Sequence, residues 1–138
     1  MLRAVIDTTI FVRALINPKS RCGRLLFQYA DRYVILMSKP IARELLEVIQ
    51  RPELTAKYRS LSAIGMREII DIIARAEAVE IGEAPRVTRD PDDDMCVATA
   101  VADAADYIVS EEQDLLSLER VGQTRVVNSE AFICLFET

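Results

Sequence analysis

The sequence predicts an α/β fold, a three-layer α/β/α sandwich around a central, mainly parallel sheet, and three observations lead to it. Short, continuous apolar runs of β type recur along the chain. Between them lie longer segments whose apolar residues return every three or four positions, the helical period. No Gly/Ser linker, repeat or low-complexity stretch divides the 138 residues, a length suited to one domain (1–138) with a substantial core. Strands without polar alternation, separated by helices, pair in parallel through right-handed crossovers.

The elements follow in order. "LRAVID" (2–7) is the first apolar strand, followed by helical spacing over 9–16 and 20–31. "YVILMS" (33–38) is the second strand, and helices are expected at 40–50, 53–59 and 64–77. In the first of these, Ile41, Leu45, Leu46 and Ile49 define the buried face. "AVEIG" (78–82) is a third short strand. A helix over 92–105 has a strong start, with Asp90 as N-cap, Pro91 at the first helical position and further acids in the first turn. Its expected buried stripe is Val97, Ala98, Val101, Ala104 and Ala105. "DYIVS" (106–110), a helix at 112–119, "RVVN" (125–128) and a helix at 129–136 complete the pattern.

Composition narrows the chemistry. With no histidine in the chain, mechanisms that use serine-histidine, cysteine-histidine or paired histidines are excluded, as is histidine-ligated zinc. Cys22, Cys96 and Cys134 are too few and too scattered for a disulfide framework or a zinc pattern. No apolar run approaches the 18 or so residues that span a bilayer, so no membrane role and a cytoplasmic location are expected. Residues 1–60 carry eleven Lys/Arg against five Asp/Glu, and residues 61–138 carry six against seventeen. The net charge of −5 therefore conceals a basic N-terminal part, which leaves room for a polyanionic partner.

Acids meet the core in four places. Asp7 follows an apolar strand where a helix begins, as an N-cap or a functional carboxylate, with the Thr9 hydroxyl near enough to orient it. Glu44 lies on the flank of its helix's buried face, whereas Glu47 points to solvent. Asp94 falls at i−3 and i−4 from Val97 and Ala98, on the expected apolar stripe, where a carboxylate needs compensation. Glu111, Glu112 and Asp114 follow the strand that ends at Ser110, and Ser110 with Gln113 forms a possible capping box. The parallel sheet gathers Asp7, Asp94 and the last group at one edge. Carboxylates about 5–6 Å apart repel by roughly 3 kcal/mol at an effective dielectric of about 20. A hard, oxygen-preferring cation, Mg²⁺ or Mn²⁺, would offset that repulsion.

The same segments resemble a known family. "VIDTTIFVRAL", "SKPIARELLEVI", "RDPDDDMCVATA" and "ADYIVSEEQDLL" occur in the order and at the intervals of the PIN-domain family of metal-dependent ribonucleases. "RVVNSEAFICLF" is similar to that family's closing strand and helix, and the likeness extends to its small stand-alone toxins of toxin–antitoxin pairs. The resemblance implies metal-assisted hydrolysis of RNA, with Asp7, Glu44, Asp94, Glu112 and Asp114 as catalytic and metal-site carboxylates on Mg²⁺ or Mn²⁺. Thr9 and Ser110 would support them, Arg13 and Arg43 would meet RNA phosphates, and an antitoxin and a second copy of the chain are the expected protein partners. Three positions depart from the family pattern: Thr9 replaces Asn, Ser110 replaces Thr, and Glu112 replaces Asp. These departures sustain an alternative, a scaffold of this family that binds RNA or protein without cleaving. A receiver-type phosphoacceptor is ruled out because "LMSKP" and "IVSEE" lack its Asp and Lys, and a D-x-D phosphatase is ruled out by Thr9.

Overall fold

The computed structural model describes residues 1–57, 63–82 and 90–137, without the side chains of 63–66 and 92. The end of the expected 53–59 helix, the Asp92 side chain and residues 86–89 ahead of the acidic run lie outside the described part. In chain order the elements are β1 (Leu2–Ile6), α1 (Thr8–Ile16), α2 (Arg21–Gly23), a π-helical turn (Arg24–Gln28), β2 (Tyr33–Ser38), α3 (Lys39–Val48), α4 (Pro52–Lys57) and α5 (Ala63–Arg75). Then come β3 (Glu77–Val79), α6 (Pro91–Ala102), β4 (Tyr107–Val109), α7 (Gln113–Leu116), β5 (Arg120–Val121), β6 (Thr124–Val127) and α8 (Ser129–Cys134).

The sheet order is β3-β2-β1-β4-β6-β5. All pairs are parallel except the β5–β6 hairpin, which turns through Gly122 at φ +58°. The chain moves outward from β1 to β2 and β3, then crosses back to β4 on β1's other side. That reversal opens a crevice between the carboxyl ends of β1 and β4, where α/β sheets place their ligands.

Strand alternation assigns residues to the two faces of the sheet. Tyr33 and Tyr107 point to one face, where both rings meet Phe132 of α8 edge-on at centroid separations of 5.0 and 5.6 Å. Ser38 points to the other face, where its hydroxyl lies 2.7 Å from Thr99 of α6. The register aligns Val5 with Leu36 and Ile108, so these residues share the α6 face. Asp7 and Ser110, each two residues farther along β1 and β4, fall on that face as well.

Two expectations are revised. The helix expected over 20–31 is shorter and changes type: α2 passes without interruption into the π-helical turn, which ends at Gln28, and Gly23 is needed where its backbone lies against Pro18, since an added Cβ would stand 2.1 Å from the Pro18 carbonyl oxygen. The helix expected over 112–119 contracts to α7, and Arg120–Val121 form an edge strand that the apolar pattern does not reveal.

α6 corrects the helical wheel. Its buried residues are Asp93, Asp94, Cys96, Val97, Thr99 and Ala100, whereas Val101 is 57% exposed and Ala104 is exposed. The inward stripe therefore runs 93, 96, 97, 100, one position earlier than expected. Asp94 is buried beside that stripe, and Asp93 lies on it.

Candidate active site

The sheet brings Asp7 and Ser110 together at the crevice. Pairing continues past the strand ends, with the Asp7 amide donating to the Val109 carbonyl and the Ser110 amide to the Val127 carbonyl, both at 3.0 Å. The buried Ser110 hydroxyl donates to Asp7 Oδ2 at 2.9 Å and accepts the Glu112 amide at 2.9 Å. This replaces the Ser110–Gln113 capping box: Glu112 is the N-cap of α7, without a side-chain cap. Asp7 likewise occupies the N-cap position of α1 without closing a side-chain cap bond.

Hydroxyls also position two other acids. Thr8, itself buried, donates to Glu44 Oε2 at 3.1 Å, bringing the flank of α3 to the end of β1. Thr9 donates to Glu112 Oε1 in a long 3.4 Å contact. The orienting hydroxyl for Asp7 thus comes from Ser110, and Thr9 serves Glu112. Glu47 is exposed and paired with Arg51 at 2.9 Å, as its outward position implied.

Burial and like charge shape the electrostatics. Burial raises the Asp7 carboxyl above its ordinary pKa, and the Ser110 hydroxyl opposes this; Glu112's charge adds to the rise, and the Thr8 and Thr9 amides pull against it. Asp93 is pushed up to about 7, by burial first and then by the charges of Asp7, Asp90, Glu112 and Asp114. Among the described residues, neither Asp7 nor Asp93 has an ion-pair partner.

The candidate residues divide accordingly. Asp7, Glu112 and Asp114 stand within electrostatic reach of Asp93, the two from the 112–114 segment being exposed. Glu44 joins through Thr8, Asp94 is buried one position beyond Asp93, and Arg13 and Arg43 are exposed on α1 and α3. Sequence reasoning missed Asp93 and Thr8. The spacing of Cys96, Val97 and Ala100 carried the signal for Asp93, since it places that residue at the head of the inward stripe.

Among the described residues, no group of three or more Asp, Glu, Cys or His side chains stands close enough to hold a metal ion. The donors nevertheless fit a hard cation in kind, being carboxylate oxygens with hydroxyls behind them. The buried Asp7 and Asp93 are the pair whose mutual charge such a cation would offset.

A family model described as PIN domain matches residues 3–114. Three solved structures are similar to the chain in fold. VapBC2 from Rickettsia felis, bound to a DNA fragment from their promoter, has a TM-score of 0.63 at 13% identity, over 92% of this chain and 98% of that one. DNA-bound VapBC from Salmonella typhimurium has a TM-score of 0.60 at 15% identity, over 94% and 99%. PAE2754 from Pyrobaculum aerophilum has a TM-score of 0.58 at 11% identity, over 97% and 88%. No curated protein matches in sequence.

Proposed function

The chain belongs to the PIN domain family, and from that premise we propose that it is a divalent-metal-dependent endoribonuclease, the toxin of a toxin–antitoxin pair acting in the cytoplasm. One observation carries the catalytic reading: two buried carboxylates, Asp7 and Asp93, face each other's charge at the sheet's switch point, with no cationic partner among the described residues. A buried acid kept for structure would be ion-paired, and among the described residues neither of these is.

Asp7 and Asp93 would hold Mg²⁺ or Mn²⁺, with Asp94, Glu44, Glu112 and Asp114 as the further acids that the family resemblance assigns. The bound cation supplies Lewis acidity toward a phosphodiester and lowers the pKa of water. Ser110 fixes the orientation of Asp7, and Thr8 holds Glu44 at the rim. Asp93, its carboxyl pushed up to about 7, would have to give up its proton to hold the cation, so loading would be favoured by rising pH. Arg13 and Arg43 would receive backbone phosphates. The antitoxin assignment rests on the resemblance to stand-alone toxins and on the fold shared with two VapBC structures. Among the described residues, no helix is long and apolar enough to cross a membrane.

The test is cleavage of a mixed RNA pool with Mg²⁺, Mn²⁺ or EDTA, by wild type and Asp7→Asn. Metal-dependent cleavage that disappears in a folded Asp7→Asn protein is expected. Cleavage that persists in EDTA refutes the reading. The second reading, a scaffold that binds RNA or protein without cleaving, is favoured by the lack of a three-acid grouping among the described residues. It predicts an inert wild type that still retains RNA or a protein partner.

A further inference from the structure

A cavity of about 300 Å³ opens beside the acids, lined by Arg13, Ser20, Arg21, Cys22, Glu111 and Ser129 among others. It shares two walls with the site. Glu111 lies between Ser110, which holds Asp7, and Glu112. Arg13 lies one helical turn, about 5.4 Å, beyond Thr9 on α1. Alternation along the chain turns Glu111 away from the α6 face that Ser110 addresses, so the cavity sits across the sheet edge from Asp93.

Its chemistry is specific. Glu111 Oε1 accepts the Ser129 amide at 2.9 Å, which fixes the carboxylate at the cavity wall and leaves lone pairs for an incoming donor. Ser129 is buried, as is Cys22, whose thiol is raised above its ordinary pKa by burial first and then by the Glu111 charge. The interior therefore presents an anchored acceptor among small or apolar groups. Two arginines stand at the same opening, both exposed.

Resting on the endoribonuclease reading, we propose that this cavity is a nucleobase subsite, in which Glu111 reads a base with adjacent N–H donors, guanine foremost, next to the scissile phosphate. Carboxylates recognise bases by accepting from their amino and imino groups. Single-stranded RNA is read through splayed-out bases, and arginine planes can stack on such bases or hold the flanking phosphates.

Two measurements separate this inference from the nuclease reading. Anisotropy in EDTA, on four short labelled RNAs that differ at one central base, should show guanine preferred about tenfold, within the scale of one good base contact. The same preference should fix one position relative to the cut when cleavage sites are mapped with Mn²⁺. Glu111→Gln retains an oxygen for Ser129 but offers the base an amide donor, so the guanine preference should collapse while the melting temperature holds. Ile16→Trp, which fills the cavity from another wall, should abolish the preference without touching Glu111. Arg13→Gln should weaken all four RNAs alike and flatten their salt dependence. Equal binding of the four RNAs by wild type, or a guanine preference that survives both Glu111→Gln and Ile16→Trp, overturns the subsite. So does an unchanged RNA pattern in Glu111→Gln alongside lost capture of a basic peptide, which would assign the cavity to a protein partner. Base preference in EDTA without any cleavage upholds the subsite and sinks the nuclease reading instead.

Discussion

At the amino end of β1, the Arg3 guanidinium bonds the Asp103 carboxylate and meets Glu77 at 3.1 Å, while the Arg3 amide donates to Asp106 Oδ2 at 2.8 Å. At its carboxyl end, Asp7 and Asp93 are more deeply buried and, among the described residues, have no ion-pair partner. The same strand thus carries acids in two kinds of company. Burying a charge is costly without a partner, so acids that fold for structure acquire one, as Asp103 does. Acids that keep a poor local environment mark the edge where an external cation is expected.

Substitution at the two ends should produce the largest contrast. Asp93→Asn, which keeps shape but removes charge, should lower RNA cleavage at least 100-fold, and Asp7→Asn should do the same. Arg3→Ala at the opposite end should cost little stability, because its pairs are partly exposed, and should leave the cleavage rate of the folded protein alone. Asp94→Asn sharpens the comparison within α6. Neighbouring helical positions lie about 100° apart, so Asp93 and Asp94 cannot address the same point equally. A single-turnover cleavage assay ranks them. Damage from Asp94→Asn that exceeds damage from Asp93→Asn would restore the stripe first expected from sequence.

That expectation shows how far the sequence could be read. β1, β2 and β4 were legible because they are continuous apolar runs between helical segments, and Asp7 was legible as the polar residue that ends the first of them. The phase of α6 was not, because its apolar residues are small. Val101 and Ala104 looked as suited to the core as Cys96 and Ala100, and only docking against β1, β2 and β4 turned the helix so that Val101 faces out. Arg120–Val121 escaped because two residues carry no period. Thr8 escaped because its role depends on where α3 packs, which no local pattern encodes.

A smaller effect should appear in metal-free stability. The folded Asp93 holds its proton up to about pH 7, whereas an unfolded Asp loses it near 3.9. Between those values the folded state binds more protons, so stability should fall as pH rises from about 4 to 7 and level off above. Melting temperatures from pH 4 to 8 in EDTA should show the slope, and Asp93→Asn should reduce it and raise the value at pH 8. Mn²⁺ at 100 times its dissociation constant should add about 2.7 kcal/mol to wild type by mass action, and little to Asp7→Asn. If Asp93→Asn lowers the melting temperature at pH 8, the charge is compensated after all and the contrast between the two ends of β1 dissolves.

The smallest effects belong to the rim, where Thr9 and Glu112 touch at 3.4 Å, compared with 2.9 Å for Ser110 and Asp7. A long contact between a hydroxyl and an exposed carboxylate holds that carboxylate weakly, because the donor geometry is near its limit and water competes. Thr9→Val should therefore reduce cleavage only a few-fold, less than Ser110→Ala, which strips Asp7 of its hydroxyl donor and the Glu112 amide of its acceptor in one step. Glu112 itself reaches one methylene farther than the Asp of the family pattern. Mg²⁺ requires near-octahedral oxygens at about 2.0–2.1 Å, so an overlong, loosely held side chain is poorly placed to ligate it directly. Glu112→Asp should preserve or raise Mg²⁺-dependent cleavage, and Asp114→Asn should harm it more than Glu112→Gln does. A Glu112→Gln protein damaged more than Asp114→Asn would make Glu112 the working acid of α7. An inert wild type that Glu112→Asp revives would identify the natural chain as a binding scaffold whose one extra methylene keeps it from cutting.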